Sequence, residues 1–199
     1  MNYGEFDVID CTVCFKGFFR MDKYRLRHSL FEGGMSEVMS RELFERGKAV
    51  AVLPYDPVLD RVVLIEQFRI GAINDPKGAW LTEIVAGMIS EGELPEDVAR
   101  RESMEESGCE ITKLLPICLY YPSPGACSET IELYCGMVDA GAVGGVYGLD
   151  HENEDIRVLT VGFDEALAWL EDGRINSAAP IMALQWLALN KLKVIEVWK

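Results

Sequence analysis

The chain has 199 residues, 49% of them apolar, and a formal net charge of −14; it is long enough for one sizeable core with a small extra lobe and too apolar for disorder. That charge argues against general binding to nucleic acid or an anionic membrane, both of which reward a basic surface, so an anionic substrate has to be met by local positive charge or metal. No apolar run approaches the roughly 18 to 20 residues that span a bilayer, and the acidic start MNYGEFDVID lacks the basic and apolar regions of a signal peptide; a soluble cytoplasmic protein is expected.

Residues 6–20, FDVIDCTVCFKGFFR, are rich in β-branched and aromatic side chains, and residues 23–31, KYRLRHSLF, alternate basic with apolar; both read as strands. With a third strand over Val38 to Phe44 they form a small antiparallel sheet, too small to stand alone. Residues 1–46 are therefore expected to form an N-terminal lobe that packs on the main domain, residues 47–199, or on a second subunit. KAVAVL (48–53) and RVVLIEQF (61–68) flank a turn, and Trp80 to Ala86 forms a further strand. Leu114 to Tyr121 and Ile131 to Val138 pair around the SPGACSET loop, and Val158 to Val161 is short.

The helix after residue 86 is the most legible element. Pro95 suits a first helical position, Glu96 and Asp97 suit the positive end of the helix dipole, and Gly108 suits a left-handed stop. Two later helices are expected. One runs to about Asp172 with Asp164 as N-cap; the other begins near Ser177 and turns Ile181, Leu184, Leu187, Ala188 and Leu192 to the core. The order of elements predicts an α/β sandwich with helices on both faces of a mixed β-sheet.

The six cysteines include Cys11 and Cys14 at C-x-x-C spacing, but no second pair follows, and reduced structural thiols are expected. Glu102, Glu105 and Glu106 converge on one face in the last two turns of the 95–107 helix. Two carboxylates about 5 Å apart repel by roughly 3 kcal/mol at an effective dielectric near 20. A hard cation such as Mg2+ or Mn2+ would relieve this, and a solvated acidic face is the plainer alternative.

The full stretch AGMISEGELPEDVARRESMEESGC, residues 86–109, resembles the Nudix box, G-x5-E-x7-R-E-U-x-E-E-x-G-U, where U is bulky and apolar. Gly87, Glu93, Arg101, Glu102, Glu105, Glu106 and Gly108 match it; Ser103 and Cys109 depart at the two U positions. The resemblance implies the α/β/α sandwich and metal binding by Glu102 and Glu106, with Glu105 assisting and the Ala86 carbonyl as a further ligand. Glu93 and Arg101 are expected to form an ion pair that fixes the loop against the helix.

FERGKAVAVLPYDP, VVLIEQFRIGA, SPGACSET, GLDHENEDIRV and ALQWLAL extend the likeness to the ADP-ribose pyrophosphatase branch, and Pro124 stands sixteen residues beyond Gly108, as that branch requires. The branch implies Mg2+-dependent hydrolysis of ADP-ribose to AMP and ribose 5-phosphate by metal-activated water. It places a general base at Glu152, with Glu154 next in line, on a glycine-hinged loop able to close over substrate. Arg69 and Arg41 match positions that contact diphosphate or sugar, and Glu129 a position implicated in ribose or metal-water contact; surface ion pairs are the alternative for the arginines. Phe18 and Phe19 suit stacking on adenine across a dimer interface or packing within the sheet. His151 is incidental. Another nucleotide sugar or a dinucleotide is the alternative substrate, and a sensor that binds without turnover is disfavoured by the intact glutamates. A symmetric homodimer through the N-terminal sheet is expected.

Overall fold

The computed structural model describes residues 4–149, 151 and 153–199. The chain divides into two compact units, residues 1–48 with 121–130, and residues 49–120 with 131–199.

The first unit is a three-stranded antiparallel sheet, β1 (Phe6–Lys16), β2 (Arg20–His28) and β3 (Met39–Glu45), in that order. The Gly17 N–H donates to the Phe19 carbonyl at 2.9 Å and closes the turn, so β2 begins at Arg20 and not at Lys23. Asp22 is the buried acid of this sheet, neutralised by Arg20 at 2.9 Å. Residues 121–130 join the unit through β3: Phe44 N–H donates to the Ala126 carbonyl at 2.8 Å, and Ser128 N–H donates to the Phe44 carbonyl at 3.0 Å.

The second unit is built on an eight-stranded sheet: β4 (Lys48–Asp56), β5 (Arg61–Phe68), β6 (Trp80–Glu83), β7 (Val85–Ile89), β8 (Lys113–Tyr120), β9 (Thr130–Met137), β10 (Gly145–Tyr147) and β11 (Ile156–Gly162). The order is β10-β11-β5-β4-β9-β8, with β6 on β5 and β7 on β4. The strand expected over residues 80–86 breaks at Ile84, because the chain there leaves β5 for β4 as its partner.

Side chains alternate across a strand, and here the alternation sorts the core into two layers. Ala51, Leu53, Tyr55, Val62, Leu64, Leu133 and Cys135 share one cluster, while Val50, Val52, Val63, Ile65 and Tyr134 share another. The second cluster includes Val98 and Ala99 of α1 (Pro95–Ser107). The first includes Phe163 and Ala166 of α2 (Phe163–Glu171) and Leu184, Leu187, Val194 and Trp198 of α3 (Ala178–Trp198). Strands buried on both faces read as continuous apolar runs, and the helices lie on both faces, an α/β sandwich as expected.

Two details differ from the sequence reading. Asp164 lies in the first turn of α2, and Gly162 is the N-cap, without a side-chain cap bond. On α3, Ala188 and Leu192 are exposed, and the buried stripe runs through Pro180, Leu184, Leu187, Val194 and Trp198. The stripe passes through Lys191, whose ammonium bonds Asp60 at 2.6 Å over the Phe163 ring. A polar residue on the inner face shifted the apparent periodicity by one position.

Candidate active site

The site is assembled on α1 and the strand that leads to it. Pro95 opens the helix with Glu96 and Asp97 in its first turn, and Gly108 ends it at φ 67°, its N–H donating to the Met104 and Ser103 carbonyls. A Cβ on Gly108 would also lie 2.7 Å from the Tyr147 ring, so glycine is required there for both conformation and space. The inner side of α1 buries Val98, Ala99, Ser103, Glu106 and Ser107. Ser103 and Cys109, the departures from the box, are 0% and 2% exposed behind the charged face. Among the described residues the Ser103 hydroxyl has no hydrogen-bond partner.

Glu106 accepts the Ala86 N–H at 3.0 Å, which ties the helix to β7. Glu102 lies so close to Gly87 that a Cβ there would sit 2.1 Å from its Oε1; the box glycine is the space this carboxylate occupies. Burial above all pushes the Glu106 carboxyl up to about 8; the Ala86 N–H and Arg69 oppose that shift, and Glu102 and Glu154 add to it. Burial likewise pushes Glu102 up to about 7, with Arg101 opposing and Glu105 and Glu154 adding. Glu154 bonds the Leu149 N–H through Oε2 at 3.1 Å, so the loop glutamate named second from the sequence acts electrostatically on both box carboxylates. Glu152 lies outside the described residues.

Arg101 bonds Glu105 at 2.8 Å and Glu102 at 2.9 Å, and stands 3.9 Å from Glu93. It therefore serves chiefly as counterion to the clustered glutamates, while Glu93 holds its loop by accepting the Ser90 N–H at 2.8 Å. Among the described residues no three His, Cys, Asp or Glu side chains gather closely enough to hold an ion; Arg101 draws Glu102 and Glu105 toward itself, and Glu106 turns to Ala86. The donors nonetheless fit a hard divalent cation. They are carboxylates, Glu106 buried and Glu102 half-buried beside it, and a positive ion would remove the cost of ionising them.

Arg69 follows β5, and its Nε donates to Glu83 Oε2 at 2.6 Å. Sequence reasoning missed Glu83, whose only signal was its place in the strand before the box. The other sequence-derived candidates lie in the first unit. Arg41 is exposed on β3 with its Nη1 bonding the Ser40 carbonyl at 2.9 Å. Glu129 pairs with Arg46 at 3.0 Å, and that guanidinium stands 4.5 Å over the Phe19 ring. Phe19 also packs edge-on to Phe44 at 5.3 Å, whereas Phe18 is 88% exposed. The two phenylalanines thus divide the two roles considered for them: Phe19 packs, and Phe18 is accessible.

A carboxylate-lined helix behind a glycine-tight loop, on a sheet covered on both faces, is a candidate site for a divalent cation and an anionic ligand. The NUDIX domain profile matches residues 45–196, and the chain belongs to the Nudix family. It is 48% identical over 200 residues to an ADP-ribose pyrophosphatase of Escherichia coli, covering 100% of this chain and 96% of that one. An ADP-ribose pyrophosphatase of Haemophilus influenzae is 41% identical over 198 residues, covering 98% of this chain and 91% of its own length. A GDP-mannose pyrophosphatase of Yersinia pestis is 33% identical over 184 residues, covering 92% and 91%. The crystal structure of an ADP compounds hydrolase superposes with a TM-score of 0.68 at 19% identity, covering 94% of this chain and 97% of that one, a likeness of fold.

Proposed function

We propose that this chain hydrolyses ADP-ribose to AMP and ribose 5-phosphate with Mg2+, or Mn2+ in its place. The observation that carries the reading is the end-to-end likeness, at 48% identity, to proteins named ADP-ribose pyrophosphatases, together with an intact set of box glutamates. Glu102, Glu106 and the Ala86 carbonyl would hold the cation, with Glu105 assisting. When bound, the cation neutralises the diphosphate and lowers the pKa of water. Glu106 supplies charge from a buried position and Glu102 from a half-buried one, where their attraction for a cation is less screened than at the surface. Glu152 takes the proton of the attacking water; Glu154, held by the Leu149 N–H, is the alternative base. Arg69 and Arg41 would contact the diphosphate or sugar, Glu129 the ribose or a metal-bound water, and Phe18 would stack on adenine across the dimer interface.

We propose as well that two copies pair through the N-terminal sheet in the cytoplasm. All eleven residues of β1 are exposed, among them Phe6, Val8, Ile9, Val13 and Phe15, and β1 is an edge strand, a template for pairing with another chain. Among the described residues no helix is long and apolar enough to cross a membrane.

Hydrolysis of ADP-ribose, other ADP-sugars, GDP-mannose, NADH and diadenosine polyphosphates, measured with Mg2+ on the wild type and on Glu152→Gln, tests the reading. Preference for ADP-ribose, lost on substitution, supports substrate and base together. Preference for GDP-mannose, the substrate in the name of the 33% identical relative, would replace the substrate and leave the chemistry. Tight binding without turnover would make the protein a sensor.

A further inference from the structure

We propose that Glu83 is a positioning residue: it grips Arg69 by Nε, on the sheet face that carries α1, and so aims the terminal N–H groups of the guanidinium at the substrate diphosphate. The inference rests on the proposed diphosphate hydrolysis and deepens it.

Strand register puts the pair there. Glu83 of β6 lies directly opposite Ile65 of β5, and directly opposed residues share a face. Ile65 packs in the cluster that contains Val98 and Ala99 of α1, so Glu83 faces α1. Arg69 is four residues beyond Ile65, and its backbone is still extended at φ −127°, ψ 111°; the period of two returns it to the same face. On that face Arg69 and Glu83 share the side of the sheet that α1 covers, the helix that carries Glu102 and Glu106.

The geometry of the pair is that of an aiming device. The Nε–Oε2 distance is 2.6 Å, the Glu83 side chain is 16% exposed and the Arg69 side chain 41% exposed. A pair so open on one side contributes little to stability. Holding a guanidinium through Nε instead leaves both terminal nitrogens to donate, the fork that matches a phosphate. Glu83 is the hydrogen-bonded side-chain partner of Arg69 among the described residues.

The test is a double-mutant cycle on kcat/KM with Arg69→Ala, Glu83→Ala and the double variant, with Glu83→Gln beside them and melting temperatures to check folding. Glu83→Ala is expected to lower kcat/KM roughly 10- to 100-fold, as misplacing a binding group does. The double variant should be no slower than Arg69→Ala, because a positioning residue has nothing to position once the arginine is gone. Glu83→Gln, whose amide oxygen still accepts from Nε, should recover most of the loss. The Mg2+ concentration for half-maximal rate should stay unchanged, and ADP-ribose binding measured calorimetrically in EDTA should weaken equally in both single variants. Multiplying losses, or a shifted Mg2+ midpoint, would show that Glu83 acts on its own and would overturn the proposal. If Glu83→Ala does not fold, Glu83→Asp, whose shorter side chain withdraws the acceptor from Nε, takes its place in the cycle and decides by the same criterion. If the wild type prefers another diphosphate, the cycle is run on that substrate, so the substrate reading can fail while this inference is still decided.

Discussion

β1 and β4 are long strands of similar character with opposite fates. FDVIDCTVCFK is exposed along its whole length, whereas seven of the nine residues of KAVAVLPYD are buried. Local preference makes both extended, and only what lies on each side decides whether their apolar groups contribute to stability. β4 has a strand on either edge and a core cluster on either face. β1 has β2 on one edge and, among the described residues, no strand on the other. The second unit thus carries its own core, while the first presents apolar surface that a second copy could cover.

The largest expected effect lies in the well-buried unit. Glu106→Gln should lower kcat by on the order of 100-fold or more, since it removes a charge proposed to hold the cation. The melting temperature in EDTA should hold or rise, because the carboxylate is buried without a full counter-charge. Survival of activity within a few-fold would end the metal assignment. Next comes the direct contrast between the strands. Val52→Ala should cost about 2 kcal/mol in urea unfolding, by lost burial and a cavity. Val13→Ala should cost under about 0.5 kcal/mol in dilute, monomeric protein. A cost for Val13→Ala that grows with protein concentration would show the edge covered by a partner, and sedimentation would show the dimer weakening in parallel.

The pH response of the metal-free protein should be at least comparable to the cavity effect. Glu102 and Glu106 have folded pKa values of about 7 and about 8, above the ordinary 4.5. Between roughly pH 4.5 and 8 the unfolded chain has released protons that the folded chain keeps, so their stabilisation is full below that window and is lost as pH rises through it. Urea unfolding in EDTA should show stability falling from pH 5 to 8, with a flatter profile in Glu106→Gln. Mg2+ should restore more stability at pH 8 than at pH 6, because binding displaces those protons. The smallest effect is Ser103→Ala, expected to be neutral or stabilising by up to about 1 kcal/mol, since it deletes a buried hydroxyl without a partner; a loss above that would mean the hydroxyl is satisfied by water.

α1 was fully legible: Pro95, the acids after it and Gly108 are local signals, and the helix spans Pro95–Ser107. The box glutamates were legible for the same reason, since helical spacing alone puts them on one face. α3 was legible as a helix but not in its facing, because Lys191 takes a core-side position by reaching Asp60, a partner 131 residues away. Gly87 could be read only as a motif letter; the carboxylate filling the space of its missing side chain gives the letter its physical cause.

By itself the sequence determined most of the elements, though not the break at Ile84 or the short β10 within the glycine-rich loop, and with them the two-sided core and the glutamate-bearing helix, because strand and helix periods are local properties of the chain. Tertiary structure alone decided which charges from distant positions meet: Arg69 with Glu83, Lys191 with Asp60, Arg46 with Glu129. Electrostatic partners are chosen by distance in space and by the water excluded between them. Both are set when strands from distant parts of the chain come into register.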